Sequence, residues 1–265
     1  STDATSWRKR ATTDRSAATD VERIEYERLA AVEERMWWFR ALHDNLVTAL
    51  AGAAAAPSRV LDAGCGTGGL LLRLARSLPE ATLIGLDIDW GAAAVARGKS
   101  GRPVCVGSVA ALPFADASFD AILSADVLCH RGVDERATLA AFRRCLKPGG
   151  AIILNLPAYR WLYSPHDAAV DNARRYDRVE LHDMLAAAGF AGIHSAYWNS
   201  FLFPLMVLRR KLWRQGSAVP RSDVALLPAA VERLFRAVTA LESRLLRAGH
   251  ALPFGGSILA IAVTS

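Results

Sequence analysis

A glycine-rich turn between an apolar segment and a leucine-rich segment constrains the fold of this chain more than any other feature. Residues 60–69 read VLDAGCGTGG, and residues 70–78 continue with leucines at helical spacing. Gly64, Gly66 and Gly68 let the backbone turn tightly and approach a ligand without a Cβ in the way, ahead of the N–H groups of the next helix. The pattern predicts a strand, a turn and a helix at which a nucleotide-like cofactor binds.

A second apolar run supports this interpretation. Residues 82–89, TLIGLDID, place Asp87 at about the distance at which a βαβ unit holds a ribose-binding carboxylate. We therefore expect Asp87 to bind a ribose diol, in preference to capping a turn.

The residues of the first turn help to distinguish a dinucleotide from other nucleotide-like cofactors. A dinucleotide-binding turn has no acid before its first glycine, because a pyrophosphate sits on the helix N-terminus. Here Asp62 stands two residues before Gly64, and the segment resembles motif I of the class I S-adenosylmethionine (SAM) methyltransferases. The resemblance implies that Asp62 helps to hold the methionine part of SAM and that the backbone of Gly64, Cys65 and Gly66 cradles the cofactor. A structural role for Asp62, fixing N–H groups of the loop, stays open.

Three further segments resemble the same family in the expected order. Residues 106–114, VGSVAALPF, resemble its adenine-site loop, and residues 118–130, SFDAILSADVLCH, resemble its fourth strand. Residues 145–154, CLKPGGAIIL, resemble its turn into the fifth strand. The resemblance implies that Ser108 and Val109 border the adenine. Ser108 stands where the family commonly has Asp, so it can accept a bond from the adenine amino group only without charge.

The resemblance also implies two further cofactor-binding residues and a fold. Ile88 and Ser124 complete the predicted cofactor site. The implied fold is α/β and Rossmann-like, with a doubly wound, mostly parallel seven-stranded sheet and an antiparallel last strand over residues 256–263.

The chain is expected to divide into three parts. Residues 1–20 predict a disordered basic tail, and residues 21–56 predict a helical cap with apolar residues at helical spacing. Residues 57–265 predict the SAM-binding domain, with a helical insertion over residues 200–250. The ring-rich segment 36–40 of the cap is expected to pack in the core, and a lid over SAM is the alternative.

Aromatic and ionisable residues cluster directly after the predicted fifth strand. Loops at the carboxyl ends of parallel strands line the ligand crevice, so this cluster predicts the acceptor site. Its His-Asp pair and Arg-Arg-Tyr segment resemble a bacterial branch of these methyltransferases. The predicted substrate-binding residues are Tyr159, Trp161, Tyr163, Asp167, Arg174 and Arg175. The two arginines either bind a phosphate or carboxylate of the acceptor or pair with nearby aspartates to fix the loop.

Three side chains are candidate catalytic groups. His166 can deprotonate an acceptor hydroxyl or amine, because the ordinary pKa of histidine lies near neutrality. His130, just past the fourth strand, is the competing base, and Tyr176 is the third candidate. The alternative is that both histidines are structural and that methylation proceeds by proximity and desolvation alone.

The predicted insertion has two parts. Residues 201–208 are apolar and lead into the basic, Trp-bearing segment 209–214, which suits a helix lying on an anionic membrane surface. Residues 224–248 carry an apolar stripe at helical spacing. The alternatives are a helical pair packed on the domain and a contact with a second subunit in a homodimer. Either arrangement can also wall an apolar acceptor pocket.

The overall composition narrows the choice of partners and compartment. The net charge is +6, but the arginines are spread along the chain without a nucleic-acid-binding signature, so no nucleic acid is expected. The four cysteines lack metal-ligand spacing, which predicts reduced thiols and no metal site. No apolar run approaches the roughly 20 residues that cross a bilayer, and residues 1–20 lack an apolar signal core. We expect a cytoplasmic protein, with peripheral contact at the inner membrane face through the insertion as an option.

These features together predict a SAM-dependent methyltransferase that releases S-adenosylhomocysteine. The expected acceptor is an oxygen, nitrogen or carbon nucleophile of an amphipathic or lipid-linked small molecule with an anionic group, and a soluble secondary metabolite is the alternative. Two other classes stay open at this point. They are an NAD(P)-dependent oxidoreductase, which shares the fold, and a SAM-binding regulator without catalysis.

Overall fold

The computed structural model describes residues 30–54, 56–213 and 226–265. The predicted tail 1–20, residues 21–29 and residue 55 of the predicted cap, and residues 214–225 of the predicted insertion lie outside the described residues.

One seven-stranded sheet runs through the described part of the chain. Its strands are β1 Arg59–Ala63, β2 Thr82–Asp87, β3 Val104–Val106, β4 Phe119–Ala125, β5 Leu146–Pro157, β6 Phe190–Trp198 and β7 Ser257–Thr264. The strand order is β3-β2-β1-β4-β5-β7-β6. The pairs among β1 to β5 are parallel, whereas β7 runs antiparallel to both β5 and β6. The predicted fold class is therefore confirmed.

Helices flank this sheet. They are α1 Trp37–Ala53, α2 Gly69–Ser77, α3 Trp90–Ser100, α4 Glu135–Cys145, α5 Pro165–Ala169, α6 Arg178–Ala187, α7 Phe203–Trp213 and α8 Ala229–Arg247. Residues 30–33 are also helical, and short 3-10 turns span Val109–Ala111 and Arg160–Leu162. No described helix is long and apolar enough to cross a membrane.

Two apolar clusters cover the two faces of the sheet. The helices α1 and α2 pack on one face through Leu46, Leu50, Leu71 and Leu74. The helices α4 and α6 pack on the other face through Leu139, Phe142, Leu181 and Leu185. Parallel strands need cover on both faces, which is why most residues of β1 and β4 are buried.

The strand order places the ligand crevice. From β1 the chain proceeds to β2 and β3 on one side of the sheet and then to β4 and β5 on the other. The carboxyl ends of β1 and β4 are adjacent at this change of direction, where open α/β sheets bind their ligands.

The insertion between β6 and β7 contains α7 and α8, and α8 packs along α1 of the same chain. The Trp37 and Phe235 rings meet edge to face at 5.3 Å. The Ser243 hydroxyl donates to Asn45 Oδ1 at 2.7 Å, and the Trp37 N–H donates to Glu232 Oε2 at 2.9 Å. The insertion therefore joins the N-terminal helix to form one roof over the carboxyl ends of the strands.

The packed face of α8 differs from the predicted apolar stripe. Its buried residues are Glu232, Thr239, Glu242 and Ser243, whereas Leu234 and Leu241 are exposed. The reason is that buried carboxylates bind backbone donors of the adjoining turns, since Glu242 Oε2 accepts from the N–H of Ser200 at 2.9 Å. Hydrogen-bonded carboxylates can be buried where unpaired ones cannot.

Candidate functional site

A cavity of about 950 Å³ opens at the carboxyl ends of β1, β2 and β4. Residues 36–39 and the helices α7 and α8 roof it, with Met206 and Phe235 among the lining side chains. Small-molecule sites usually occupy about 300–1,000 Å³. The cavity is therefore large enough for a group donor and a group acceptor to lie side by side.

The glycine turn forms one wall of the cavity and is tied to the end of β2. The N–H groups of Gly64 and Cys65 both donate to the Leu86 carbonyl, at 2.7 and 2.9 Å. The N–H of Gly66 donates to Asp87 Oδ2 at 2.8 Å. Because these three donors are already engaged, the turn does not offer them to a pyrophosphate, which argues against the dinucleotide alternative.

Asp62 lies beside this turn with one oxygen unsatisfied. The residue is 1% exposed, and its Oδ2 atom has no hydrogen-bond partner among the described residues. Burial raises the pKa of Asp62 well above its usual value, and the nearby Glu33 and Asp87 carboxylates raise it further. A buried acceptor of this kind is costly unless a ligand supplies a donor. SAM fits this requirement, because its ammonium group is a hydrogen-bond donor.

Asp87 and Ile88 line the cavity at the end of β2. The Asp87 carboxylate accepts from the N–H groups of Gly66 and Asp89, at 2.8 and 2.9 Å. Ile88 is 74% exposed, so its apolar side chain is available to a ligand. Asp89 caps α3 by accepting from the Ala92 N–H, so Asp87 is not the cap of that helix.

The remaining predicted cofactor residues divide between the cavity and the sheet. Ser108 and Val109 line the cavity, and Ser108 Oγ caps the 3-10 turn by accepting from the Ala110 N–H at 3.2 Å. Cys65 also lines it, and burial raises the pKa of its thiol, so the thiol stays protonated. Ser124 is instead buried between strands, where its hydroxyl donates to the Ala63 carbonyl at 2.8 Å.

Arginines and an aspartate form the opposite wall of the cavity. Arg175 is 5% exposed, and its Nε and Nη2 atoms lie 2.9 and 2.7 Å from Asp167 Oδ1. Its Nη1 atom donates to the Ala158 carbonyl at 2.9 Å. Arg210 reaches the same aspartate from α7, with its Nη1 atom 3.5 Å from Asp167 Oδ2. Burial alone would raise the pKa of Asp167, but Arg175 and Arg210 have the larger, opposite effect. The pKa of Asp167 is therefore below its usual value.

Both predicted histidine bases reach this wall. His166, in α5, and His130, after β4, line the cavity, and both are partly buried. Arg209 of α7 lines it as well. The structure therefore brings together His130, His166, Asp167 and Arg175 of the predicted site.

Four predicted substrate-binding residues lie outside the cavity lining. Tyr159 stacks on Tyr197 at 5.1 Å, and Trp161 packs against it at 5.7 Å. The Tyr163 hydroxyl donates to the Asn172 carbonyl at 3.0 Å. Arg174 pairs with Glu135 instead, at 2.7 Å. These side chains support the loop that carries His166 and Asp167.

Tyr176 also lies outside the cavity lining. It is 1% exposed, and its hydroxyl contacts the Leu128 carbonyl and the Glu135 carboxylate. Burial and this carboxylate raise the pKa of the phenol. These contacts assign Tyr176 a packing role in the described structure.

The sequence did not single out Glu33, which holds the N-terminal segment over the glycine turn. Its Oε2 atom accepts from the Thr67 hydroxyl at 2.7 Å and from the Lys99 ammonium at 2.8 Å. Its Oε1 atom lies 3.6 Å from His43 Nε2. Burial lowers the pKa of His43 to about 4, so this ring is neutral at neutral pH. Glu33 and His43 both line the cavity, but an acid and a histidine on an amphipathic helix give no sequence signal for that position.

Asp126 was also missed, although it directly follows β4. It lines the cavity and is held by Asn155, whose Nδ2 donates to Asp126 Oδ1 at 3.0 Å. Asn155 Oδ1 in turn accepts from the Trp198 indole N–H at 2.7 Å. The sequence did contain a signal for Asp126, because an acid directly after an apolar strand is the same pattern that identified Asp87.

The charged groups divide the cavity into two halves. We call the half containing Asp62, Asp87 and the glycine turn 64–68 the loop half. We call the half containing Asp126, Asp167 and Arg175, with His130, His166, Arg209 and Arg210, the arginine half. The pKa of Asp62 responds to Glu33 and Asp87, whereas that of Asp126 responds to Arg175 and Asp167. Different charged groups therefore surround Asp62 and Asp126.

Comparison with known proteins identifies the family. A family model described as a methyltransferase domain matches residues 61–154. A malonyl-[acyl-carrier protein] O-methyltransferase of Geobacter sulfurreducens is 30% identical over 185 residues, which are 64% of this chain and 67% of that protein. A putative methyltransferase of Encephalitozoon cuniculi is 33% identical over 64% of this chain and 68% of its own length.

Solved structures agree on the fold. A SAM-dependent methyltransferase from Thermotoga maritima, described as a possible histamine N-methyltransferase, superposes with a TM-score of 0.56 at 21% identity, covering 91% of this chain and 95% of that one. The putative methyltransferase in a complex with the Haloferax volcanii Trm112 activator superposes with a TM-score of 0.57 over 93% and 97% of the two chains at 21% identity. Motif order, sheet topology and these relatives agree that the chain belongs to the class I SAM-dependent methyltransferases, with SAM as its methyl donor.

Proposed function

We propose that this methyltransferase acts on an amphipathic or lipid-linked small molecule that carries an anionic group. The observation that carries the proposal is the pairing of Arg175 and Arg210 around Asp167 in a cavity whose roof is largely apolar. Guanidinium groups bind carboxylates and phosphates in planar, bidentate geometry. The contacts of Arg175 to Asp167 and Ala158 use three of its five N–H donors.

The apolar part of the acceptor is accommodated by the roof. Leu202, Leu205 and Met206 of the α7 region line the cavity, as do Leu227 and Phe235 of the α8 region. Apolar lining with a few fixed charged groups is typical of sites that orient an amphipathic ligand. The malonyl-[acyl-carrier protein] O-methyltransferases among the relatives act, by their name, on an acid linked to a carrier, which supports an anionic, carrier-linked or lipid-linked acceptor.

The loop half is assigned to the methyl donor. Asp62 binds the ammonium group of the methionine part, the glycine turn 64–66 packs against that part, Asp87 holds the ribose, and Ile88 and Val109 border the adenine with Ser108. When bound, SAM supplies an electrophilic methyl group on a sulfonium. The chain's part is to orient that group toward the arginine half and to exclude water beneath the roof, which is how methyltransferases can gain rate by proximity and desolvation.

A membrane surface is the proposed source of a lipid-linked acceptor. Phe201, Leu205 and Leu208 are 46%, 50% and 54% exposed and recur on one face of the α7 region. Leu205 also lines the cavity, so this apolar face adjoins the cavity mouth. Arg209 follows the face and supplies positive charge for an anionic lipid surface.

The test is transfer of labelled methyl from SAM into an extract of the source organism, followed by partition between organic and aqueous phases. We expect label in the organic phase with the intact protein and none with Asp87→Ala. Arg210→Gln is expected to reduce the transfer at least tenfold, whereas Arg233→Gln, an exposed arginine on α8 outside the cavity lining, is the matched control. Label confined to the aqueous phase would favour a soluble metabolite, and no label in either phase would favour a SAM-binding regulator.

A further inference from the structure

Asp126 is placed next to the glycine turn by close packing. It follows β4 directly, and the next residue, Val127, fills the space where Gly64 would carry a side chain. The backbone of Asp126 has φ +54°, in the left-handed region that non-glycine residues seldom occupy. Strained backbone of this kind persists where the surroundings enforce it, and it is concentrated at functional sites.

A chain of two hydrogen bonds fixes the Asp126 carboxylate. An indole N–H is only a donor, so Trp198 binds the carbonyl oxygen of the Asn155 side chain and turns its NH₂ group toward Asp126. Trp198 and Asn155 are 1% and 0% exposed. The N–H of Asp126 donates to the Asn155 main-chain carbonyl at 2.8 Å, so backbone and side chain are held by the same residue.

The surroundings of Asp126 belong to the arginine half. The charged groups that act on its carboxyl are Arg175 and Asp167 of the loop around α5. Its own main-chain carbonyl accepts from the Cys129 thiol at 3.1 Å, and His130 lines the same wall. The same thiol donates to Asn172 Oδ1 at 3.2 Å, and the Asn172 N–H donates to the Asp167 carbonyl at 2.8 Å. Asp126 therefore lies beside the loop that carries Asp167, on the wall assigned to the acceptor.

We propose that Asp126 is the catalytic base that takes the proton from the acceptor's nucleophile, with Asn155 and Trp198 as positioning residues. The proposal rests on the proposed function. As the nucleophile bonds to the methyl carbon, the sulfur–methyl bond breaks and its electron pair stays on sulfur. The proton of the nucleophile moves to Asp126 and is later released to solvent. The acceptor atom is accordingly a hydroxyl oxygen or an amine nitrogen, because an ionised carboxylate has no proton to give.

The ionisation of Asp126 suits this task. Burial raises its pKa to about 7, while the Asn155 hydrogen bond and Arg175 act in the opposite direction. General bases work best when their pKa lies near the working pH. An aspartate with its ordinary pKa near 3.9 is a weaker base than one that titrates near the working pH.

The first test compares Asp126→Asn with the wild-type protein in the labelled-methyl assay between pH 6 and 9. We expect the wild-type rate to rise through an apparent pKa near 7, and the variant to be about 100-fold slower or worse with a flat profile. Asp116→Asn is the control, because Asp116 is exposed and pairs only with Arg144 at 2.6 Å among the contacts described. A variant that keeps the wild-type rate and profile overturns the proposal, and loss of the profile in His130→Gln or His166→Gln but not in Asp126→Asn does so as well.

The second test works without the acceptor and separates this proposal from the proposed function. Carboxyl ¹³C resonances are followed in the complex with S-adenosylhomocysteine, and the Asp126 signal is assigned by its absence in Asp126→Asn. Titration near pH 7 supports the proposal, whereas titration near 4 overturns it. Failure of the wild-type protein to label any extract component would count against the proposed acceptor, while this titration would still decide the state of Asp126.

The positioning role has its own readout. Trp198→Phe keeps a ring for stacking on Trp38 but removes the N–H that orients Asn155. Because the Asn155 hydrogen bond lowers the pKa of Asp126, its loss is expected to shift the pH–rate profile to higher pH. Trp90→Phe, at an exposed position outside the cavity lining, is the control. An unchanged profile in Trp198→Phe removes Trp198 from the proposal.

Discussion

The Trp198 indole donates to the Asn155 side chain at 2.7 Å, and both groups are buried beneath the cavity. The bond matters because it decides which end of the amide faces Asp126. A buried carboxyl is thereby given a donor, so that it can ionise near neutral pH at a place where an isolated carboxylate would be costly.

The first prediction concerns the decrease in folding stability that the buried Asp126 carboxyl causes as the pH rises. The pKa of Asp126 is raised to about 7 in the folded chain, above its unfolded value near 3.9. The folded state therefore holds the extra proton, and its contribution to stability is complete below about pH 4 and is lost as the pH rises through 7. The Asp126→Asn protein does not lose this stability, because asparagine does not titrate.

We expect the free energy of unfolding of the wild type, relative to Asp126→Asn, to fall by about 2–3 kcal/mol between pH 5 and pH 8. Urea unfolding of both proteins at the two pH values measures the difference. Asp116→Asn serves as the control for a surface carboxyl. The same pH dependence in both variants would show that the effect does not come from Asp126.

The second prediction concerns the contact between the N-terminal segment and the glycine turn. The carboxylate of Glu33 bonds to Thr67 and Lys99, and a Cβ on Gly69 would overlap it. Glu33→Gln keeps an acceptor for Thr67 but loses the charge that holds Lys99. We expect faster amide exchange over residues 30–36 and a SAM affinity lower by about 5-fold or more.

Glu34→Gln is the matched control for this variant. The Glu34 side chain is 45% exposed and lies 3.7 Å from the same ammonium group, so its loss is expected to have little effect. Equal effects of the two substitutions would mean that general charge, and not the Glu33 contact, holds the segment.

The third prediction concerns the close approach of Gly64 to β4. Gly64 has φ +79°, and a Cβ there would overlap a methyl group of Val127. We expect Gly64→Ala to abolish measurable SAM binding and to destabilise the fold by about 2 kcal/mol or more, because both the backbone and the packing must shift.

Gly98→Ala provides the opposite case within the same domain. Gly98 lies inside α3 with nothing within 4 Å of its added Cβ. Alanine is the better helix former, so the variant should be more stable by about 0.5–1 kcal/mol with SAM affinity unchanged. Calorimetry and thermal melts of the two variants check both statements, and tight SAM binding by Gly64→Ala would refute the packing argument.

The fourth prediction concerns the apolar face of α7. Phe201 and Leu208 are exposed and outside the cavity lining, so replacing both by serine leaves the cavity intact. We expect co-sedimentation with phosphatidylserine-containing vesicles to fall about tenfold or more. Leu241→Ser, an exposed leucine of α8, is the control. Vesicle binding that survives the double substitution would place the membrane contact elsewhere or remove it.

The sequence predicted the position of the glycine turn between β1 and α2 because its signals are local. Gly64, Gly66 and Asp62 lie within five residues, and Asp87 follows a recognisable strand. Such motifs constrain the backbone wherever they occur, and the fold class was predicted from the same motifs. What the sequence did not show is that the turn's own N–H groups bind Leu86 and Asp87, because that depends on the register of β1 against β2.

The arginine half was harder to predict because it is assembled from distant segments. Arg175 and Asp167 were expected in the site, but Arg210 comes from the insertion and Asn155 and Trp198 from two non-neighbouring strands. The aromatic residues Tyr159 and Trp161 suggested a ligand by their type, yet they pack among themselves. Residue type alone does not distinguish a ring that contacts a ligand from one that supports a loop.

The central claim is that one cavity holds the methyl donor in the loop half and the acceptor in the arginine half. The most direct test is calorimetric titration of S-adenosylhomocysteine into the wild type, Asp62→Asn and Asp126→Asn. The account predicts that Asp62→Asn weakens binding by about tenfold or more, because a buried carboxylate would no longer meet the ligand's ammonium group, while Asp126→Asn changes it by less than about twofold. Weakening by Asp126→Asn as large as that by Asp62→Asn would contradict the division of the cavity.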